Sequence, residues 1–250
     1  MDGENFIFGR NAVTEALTSG REINKILIAD GSREGSIKKI SALAKDAGII
    51  FEFVNRAKLD KISGGANHQG VIAFAAAVEY STVEEILNFA SEKNEPPFLI
   101  VLDELEDPHN FGAILRTADA VGVHGVIIPK RRSVSLNSTV AKTSAGAIEY
   151  VKVARVTNIA QTLKKLREEY FLKIIGSDAG AEKNFTDADL SGGIVAVIGS
   201  EGKGMRRLTR ENCDLPVRIP MVGKINSLNA SVAGAVLMYE IFRQRQLLKS

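Results

Sequence analysis

The chain has 250 residues, 45% apolar and 25% charged, with mean hydropathy near zero, the profile of a globular protein of one or two domains. No run approaches the roughly 18 apolar residues of a membrane helix, and MDGENFIFGR has no secretory pattern, so a cytoplasmic location is expected. A single cysteine, Cys213, excludes an internal disulfide and a cysteine-rich zinc site; with only His68, His109 and His124 besides, no metal site is expected. The formal net charge of +2 is an average: +1 over 1–78, −4 over 79–97 and +5 over 98–250. The basic C-terminal part suits a polyanionic partner without identifying one.

In chain order, GRNAVTEALTSG (9–20) reads as a short helix, with Val13, Ala16 and Leu17 at helical spacing. NKILIAD (24–30) reads as a buried strand. SIKKISALAKDAG (36–48) is an amphipathic helix in which Ile37, Ile40, Leu43 and Ala44 share a face. IIFEFV (49–54) and GVIAFAAAV (70–78) are strand-like, which predicts a small α/β domain over 1–78. Residues 79–97 read as an acidic connector, with a capping box formed by Thr82 and Glu85 before Pro96 and Pro97 break the chain. From Phe98 the alternation strengthens. FLIVLDEL (98–105), GVIIP (125–129), YVKVARV (150–156), LKIIGSD (172–178), GIVAVIGS (193–200) and VRIPM (217–221) are strands. NFGAILRTADAVG (110–122), NIAQTLKKLREEYF (158–171) and SLNASVAGAVLMYEIFRQRQ (227–246) are helices, the first capped by Asn110 and closed by Gly122. In the last, Leu228, Val232, Val236, Tyr239 and Phe242 form one apolar stripe. Continuous apolar strands alternating with helices predict a mostly parallel sheet covered on both faces, here a third region over 98–250.

Several common chemistries are missing from the sequence: no GxxxxGK[ST], no GxGxxG after the first strand of the second domain, no HExxH and no GxSxG. A doubly wound sheet still places its ligand at the carboxyl ends of strands. Three segments there are rich in glycine or polar residues. In DELEDPHNFGAILRTADAVG (103–122), Asn110 is either a helix cap or a site residue; Arg116 is either a solvated arginine or one aimed at a phosphate or developing anion. In IGSEGKGM (198–205), the glycines make a plain turn or a loop that approaches a ligand closely, with Glu201 bracing it or touching the ligand. In RIPMVGKINSLNASVAG (218–234), Ser227 and Asn229 are caps or polar contacts to a purine-like ring.

Together these three segments resemble the motifs of the SpoU (TrmH-type) RNA ribose 2′-O-methyltransferases of the SPOUT superfamily. The first is similar to N-x-G-x-x-x-R (Asn110, Gly112, Arg116) and the second to S-E-G-x-G (Ser200, Glu201, Gly202, Gly204). The third is similar to I-P-M followed by S-L-N-x-S (Ile219, Pro220, Met221; Ser227, Leu228, Asn229, Ser231). The opening FIFGRNAVTEAL resembles the RlmB-like subgroup, which methylates a guanosine ribose in 23S ribosomal RNA. The resemblance implies an α/β fold: a SPOUT-type parallel sheet with a C-terminal deep trefoil knot, an exception to the general absence of threading, preceded by a small L30e-like RNA-binding domain. It implies S-adenosylmethionine as cofactor, ribosomal RNA as partner, and a homodimer joined through the catalytic domain. It places Asn110, Arg116, Glu201, Ser227 and Asn229 at the catalytic centre. Gly199, Glu201, Gly202, Ile219, Met221, Ser227 and Leu228 fall around the cofactor.

RNA contacts are expected from Lys130, Arg131 and Arg132 and from Arg206, Arg207 and Arg210, basic residues flanking that site, and from Arg10 beside the loop GGANHQG (64–70); the alternative is a solvated charged face. His68 in that loop reads as a surface polar residue. Competing functions are the same chemistry on transfer RNA or on another ribosomal nucleotide, and a non-catalytic RNA-binding or assembly protein on the same scaffold.

Overall fold

The structure, a computed structural model, describes residues 6–31, 35–224 and 227–247. The chain divides into two compact units, one of 1–79 with 135–139, the other of 80–134 with 140–250.

The first unit contains β1 (Phe6–Phe8), α1 (Arg10–Thr18), β2 (Ile23–Ala29), α2 (Ser36–Asp46), β3 (Ile50–Val54), α3 (Arg56–Ser63) and β4 (Val71–Ala75). The strand order is β1-β4-β2-β3, with β2 and β3 parallel and the other pairs antiparallel. Val13 and Ala16 of α1 and Ile37, Ile40 and Ala44 of α2 meet Ile26, Ile28, Val71 and Ala73 of the sheet in one core, as the helical spacing predicts. The strand β1 and helix α3 lack a clear sequence signal: β1 is three residues long, and α3 buries only Leu59.

The second unit opens with α4 (Val83–Glu92). The capping box is present: Thr82 Oγ1 accepts from Glu85 N–H (3.1 Å) and Glu85 Oε2 from Thr82 N–H (2.7 Å). The segment 79–97 is thus no free linker, since Ile86 and Leu87 of α4 lie in this unit's core. Then follow β5 (Phe98–Asp103), α5 (Pro108–Ala120), β6 (Gly125–Pro129), α6 (Ser138–Thr143, of which Val140 onward belongs to this unit), β7 (Lys152–Val156), α7 (Ile159–Tyr170), β8 (Lys173–Ser177), β9 (Ile194–Gly199), α8 (Arg207–Glu211), β10 (Leu215–Val217) and α9 (Ala230–Leu247). The sheet is wholly parallel, in the order β10-β8-β9-β5-β6-β7. Its central strands are buried along their length, which is why they read as unbroken apolar runs.

Two elements differ from expectation. Helix α5 begins at Pro108 with Asp107 as N-cap, its carboxylate accepting from His109 N–H (2.6 Å) and Asn110 N–H (3.0 Å). Pro at the first helical position needs no N–H partner, so the Asp-Pro pair starts the helix two residues early and leaves the Asn110 side chain free of capping duty. The strand expected at 217–221 is shifted to Leu215–Val217; Arg218 makes an isolated bridge to Asn184 and 219–221 form loop. Among the described residues no helix is long and apolar enough to cross a membrane.

Candidate active site

The carboxyl ends of β8 and β9, with the loops after β10 and before α9, enclose a cavity of about 380 Å³ in the second unit. Gly199, Glu201, Gly202, Ile219, Met221, Ser227 and Leu228 all line it. The loop after β9 folds back on itself: Ser200 and Gly204 exchange backbone hydrogen bonds of 3.1 and 2.9 Å. A Cβ on Gly199 would collide with the backbone of Gly204 and Met205, and Gly202 and Gly204 hold φ of +79° and +67°. The glycine-rich spelling of this segment is therefore a steric requirement.

Beside the cavity, polar side chains from three separate segments meet. Asn110 Oδ1, from the first turn of α5, accepts from Asn229 Nδ2 at 3.0 Å. Ser231 Oγ lies 3.2 Å from Asn110 Oδ1 and 2.6 Å from Asn229 Oδ1. Glu201 Oε2 sits 3.5 Å from Asn229 Nδ2. Asn229 also caps α9, accepting the Ser231 N–H at 2.9 Å, so capping and site roles coexist in one side chain. Helix α5 reaches this position because Gly112 carries no side chain: a Cβ there would collide with Thr143.

Arg116 lies six residues beyond Asn110 on α5, hence on another face, and is exposed. Among the described residues no carboxylate or hydrogen-bond acceptor engages its guanidinium. Ser227 is exposed at the cavity rim.

The basic residues divide by what holds them. Arg206, though exposed, is held by buried Asp103, to which its backbone N–H and Nε donate at 2.8 and 2.7 Å. Arg207 is exposed and pairs with Glu211 (2.7 Å). Arg131 and Arg132 are exposed, whereas Lys130 is partly covered at the end of β6. In the first unit, Arg10 Nε donates to the Gln69 carbonyl (3.0 Å), which fixes it on the 64–70 loop. His68 is not at the surface: it is buried, with Nε2 2.7 Å from Asp60 Oδ1 and Nδ1 accepting from Gly70 N–H. The Cys213 thiol is pushed up to about 12 by burial, reinforced by Asp214, Asp103 and Asp178, which leaves it no nucleophile.

Sequence reading gave no role to Ser231, although it stands in the S-L-N-x-S segment, nor to Asp178 and Met205 of the cavity wall; Arg210, expected among the basic residues that contact RNA, lines that wall. Asp178 follows β8 and faces Arg210 Nε at 2.7 Å; its only signal was its place at a strand's carboxyl end.

Residues 97–239 match the SpoU rRNA Methylase family and residues 6–81 match the RNA 2′-O ribose methyltransferase substrate-binding domain. A TrmH family tRNA/rRNA methyltransferase of Bacillus subtilis (strain 168), YacO, is 50% identical over 240 residues, 96% of each chain. A crystal structure of an RNA 2′-O ribose methyltransferase is 29% identical with a TM-score of 0.56, covering 96% of this chain and 88% of that one. The fold is shared with the SpoU methyltransferase AviRb of Streptomyces viridochromogenes, solved with AdoMet (TM-score 0.62, 23% identity, 98% and 92% covered). The chain belongs to the SpoU family of RNA 2′-O-ribose methyltransferases.

AviRb and an rRNA methyltransferase of Sinorhizobium meliloti (22% identical, TM-score 0.57) are both solved with AdoMet bound. The cavity fits such a group: its volume is that of a small-molecule site, and it joins apolar walls from Ile198, Met205, Ile219 and Leu228 to polar groups of Ser177, Asp178 and Ser227.

Proposed function

We propose that the acceptor is the 2′-hydroxyl of a guanosine in 23S ribosomal RNA. The observation that carries the reading is the meeting of Asn110, Asn229, Ser231 and Glu201 at the rim of the cavity, on a chain whose first unit matches an RNA substrate-binding domain. That first unit, an L30e-like domain in this reading, and the basic residues Arg131, Arg132 and Arg207 hold the RNA backbone. Location is cytoplasmic.

S-adenosylmethionine supplies a methyl already activated on a sulfonium sulfur. Backbone groups around Gly199, Ile219 and Leu228 hold its adenosine end, and Glu201 braces the loop through Asn229. What remains for the protein is alignment, which supplies up to about 7–11 kcal/mol in favourable cases, and stabilisation of a hydroxyl losing its proton. A guanidinium is a fixed cation with five donors, so Arg116 clamps a phosphate of the target and stabilises the developing alkoxide; Asn110 orients the ribose from its anchored position. The C-terminal segments form a deep trefoil knot in this reading. A homodimer forms through α9, whose Val232 and Tyr239 are about half exposed and continue the apolar face of Leu228.

Mapping 2′-O-methyl groups on ribosomal and transfer RNA from a deletion strain tests the proposal. Loss at one large-subunit guanosine is expected. An intact ribosomal map with a loss in transfer RNA moves the same chemistry to that substrate; two intact maps overturn the reading.

A further inference from the structure

At the carboxyl ends of β5 and β6 stand two residues in the left-handed backbone region that are not glycine, Glu104 (φ +61°) and Arg132 (φ +54°). A side chain strains that conformation, and such strain persists where the surrounding structure imposes it, often at clamps and switches. Here the two are paired: Arg132 Nη1 lies 3.5 Å from Glu104 Oε1, and Arg206 Nη1 lies 3.7 Å from the same oxygen. Glu104 Oε1 is buried, yet among the described residues it accepts no hydrogen bond. A carboxylate therefore sits between two guanidinium groups, close enough for charge and too far for good bonds. Arg206 is anchored from behind by Asp103, while the Arg132 side chain is 76% exposed. The loop that carries Glu104 is tied to the Arg132 loop, Val134 N–H donating to the Leu105 carbonyl at 2.8 Å, and runs directly into the α5 helix of Asn110 and Arg116.

We propose that Glu104 is an internal stand-in for an RNA phosphate, a lock that occupies the Arg132–Arg206 site until the RNA backbone displaces it. A phosphate brings more acceptor oxygens to the same gap and can bond both guanidinium groups at once. This rests on the chain acting on RNA, whichever RNA that is. Two consequences follow for Glu104→Gly, which suits the left-handed backbone, and Glu104→Gln, which keeps the strain and removes the charge. Both bind RNA more tightly than the native chain, and the salt dependence of log K steepens by about 0.7–0.9 for each additional phosphate the protein neutralises. In the Arg132→Gln background the tightening shrinks, because the two residues act on one site.

The experiment is filter binding of unmodified 23S ribosomal RNA and of a transfer RNA transcript across a salt series. Calorimetric S-adenosylmethionine affinity reports that each variant is folded. A several-fold tighter complex for both Glu104 variants with unchanged cofactor affinity is the expected result. Equal or weaker RNA binding by either variant with cofactor affinity intact overturns the lock, and if the native chain still methylates RNA the proposed function survives. A native chain that binds neither RNA overturns both.

Discussion

Asn229 Nδ2 donates to Asn110 Oδ1 at 3.0 Å across 119 residues of chain, joining the first turn of α5 to the cap of α9. One bond thus fixes two helix starts against each other and aims Asn110 from a position it does not hold as a cap. Asn110→Ala leaves the Asn229 amide only the long contact to Glu201 Oε2 (3.5 Å), while the Ser231 hydroxyl keeps Asn229 Oδ1 (2.6 Å), at a cost of about 1 kcal/mol in stability. Turnover falls at least about 100-fold if Asn110 orients the reacting ribose, while cofactor affinity stays within about threefold. Isothermal titration beside single-turnover methylation separates the two; equal losses in both reduce Asn110 to a structural bond.

Arg116 makes the opposite prediction for stability. It is exposed and engages no described acceptor, so Arg116→Ala changes folding by less than about 0.5 kcal/mol. Activity falls by about two orders of magnitude or more if its charge stabilises the alkoxide. Arg116→Lys separates charge from shape: an ammonium cannot reproduce a bidentate fork, so most of the loss remains. Near-normal methylation by the lysine variant would count against guanidinium recognition.

Much of this site was legible in the sequence, because the constraints that write it are local. Gly199, Gly202 and Gly204 are spelled by the close approach of one loop to itself, and the cavity follows from strand ends. What was not legible depends on partners distant in sequence. Asn110 read as a cap because an asparagine before an apolar helical run is one; what its side chain does instead shows only in its contacts with Asn229 and Ser231, 119 and 121 residues on. The strand expected at 217–221 overlaps β10 only at Val217: β10 lies at the edge of its sheet, where proline is tolerated, and takes in Pro216 instead. In α9 periodicity found an apolar stripe, but the helix has two: Ala230, Gly234, Leu237, Met238 and Ile241 are buried, while Val232 and Tyr239 of the predicted stripe are exposed. The period cannot say which of two apolar faces meets the core. Residues 135–139, grouped with the first unit, carry no local mark of it.

Gly199→Ala tests the loop. The added Cβ meets the backbone of Gly204 and Met205 rather than a flexible side chain, so the loop itself must move. Destabilisation of about 1–3 kcal/mol is expected, and S-adenosylmethionine affinity drops at least about tenfold because the cavity wall shifts. An unaltered cofactor affinity would separate this loop from the cofactor site.

The last prediction concerns acid. His124 is buried, its Nδ1 accepts from Phe98 N–H (3.0 Å), and its Nε2 faces Glu95 Oε2 at 3.2 Å. Burial lowers its pKa below the usual histidine value, and although Glu95 opposes that shift, it does not cancel it. The neutral ring is the form that fits, since a proton on Nδ1 would remove the acceptor Phe98 needs. A histidine with a lowered folded pKa binds its proton more readily unfolded, so unfolding takes up protons in acid and stability rises with pH. The contribution is complete above about pH 6.5, the unfolded value, and declines as pH falls below it, by at most about 1.4 kcal/mol per pH unit. Urea unfolding between pH 5 and 8 measures the slope, and His124→Gln flattens it. A native chain whose stability holds constant through this range would show that the proton is accommodated without loss of the Phe98 bond.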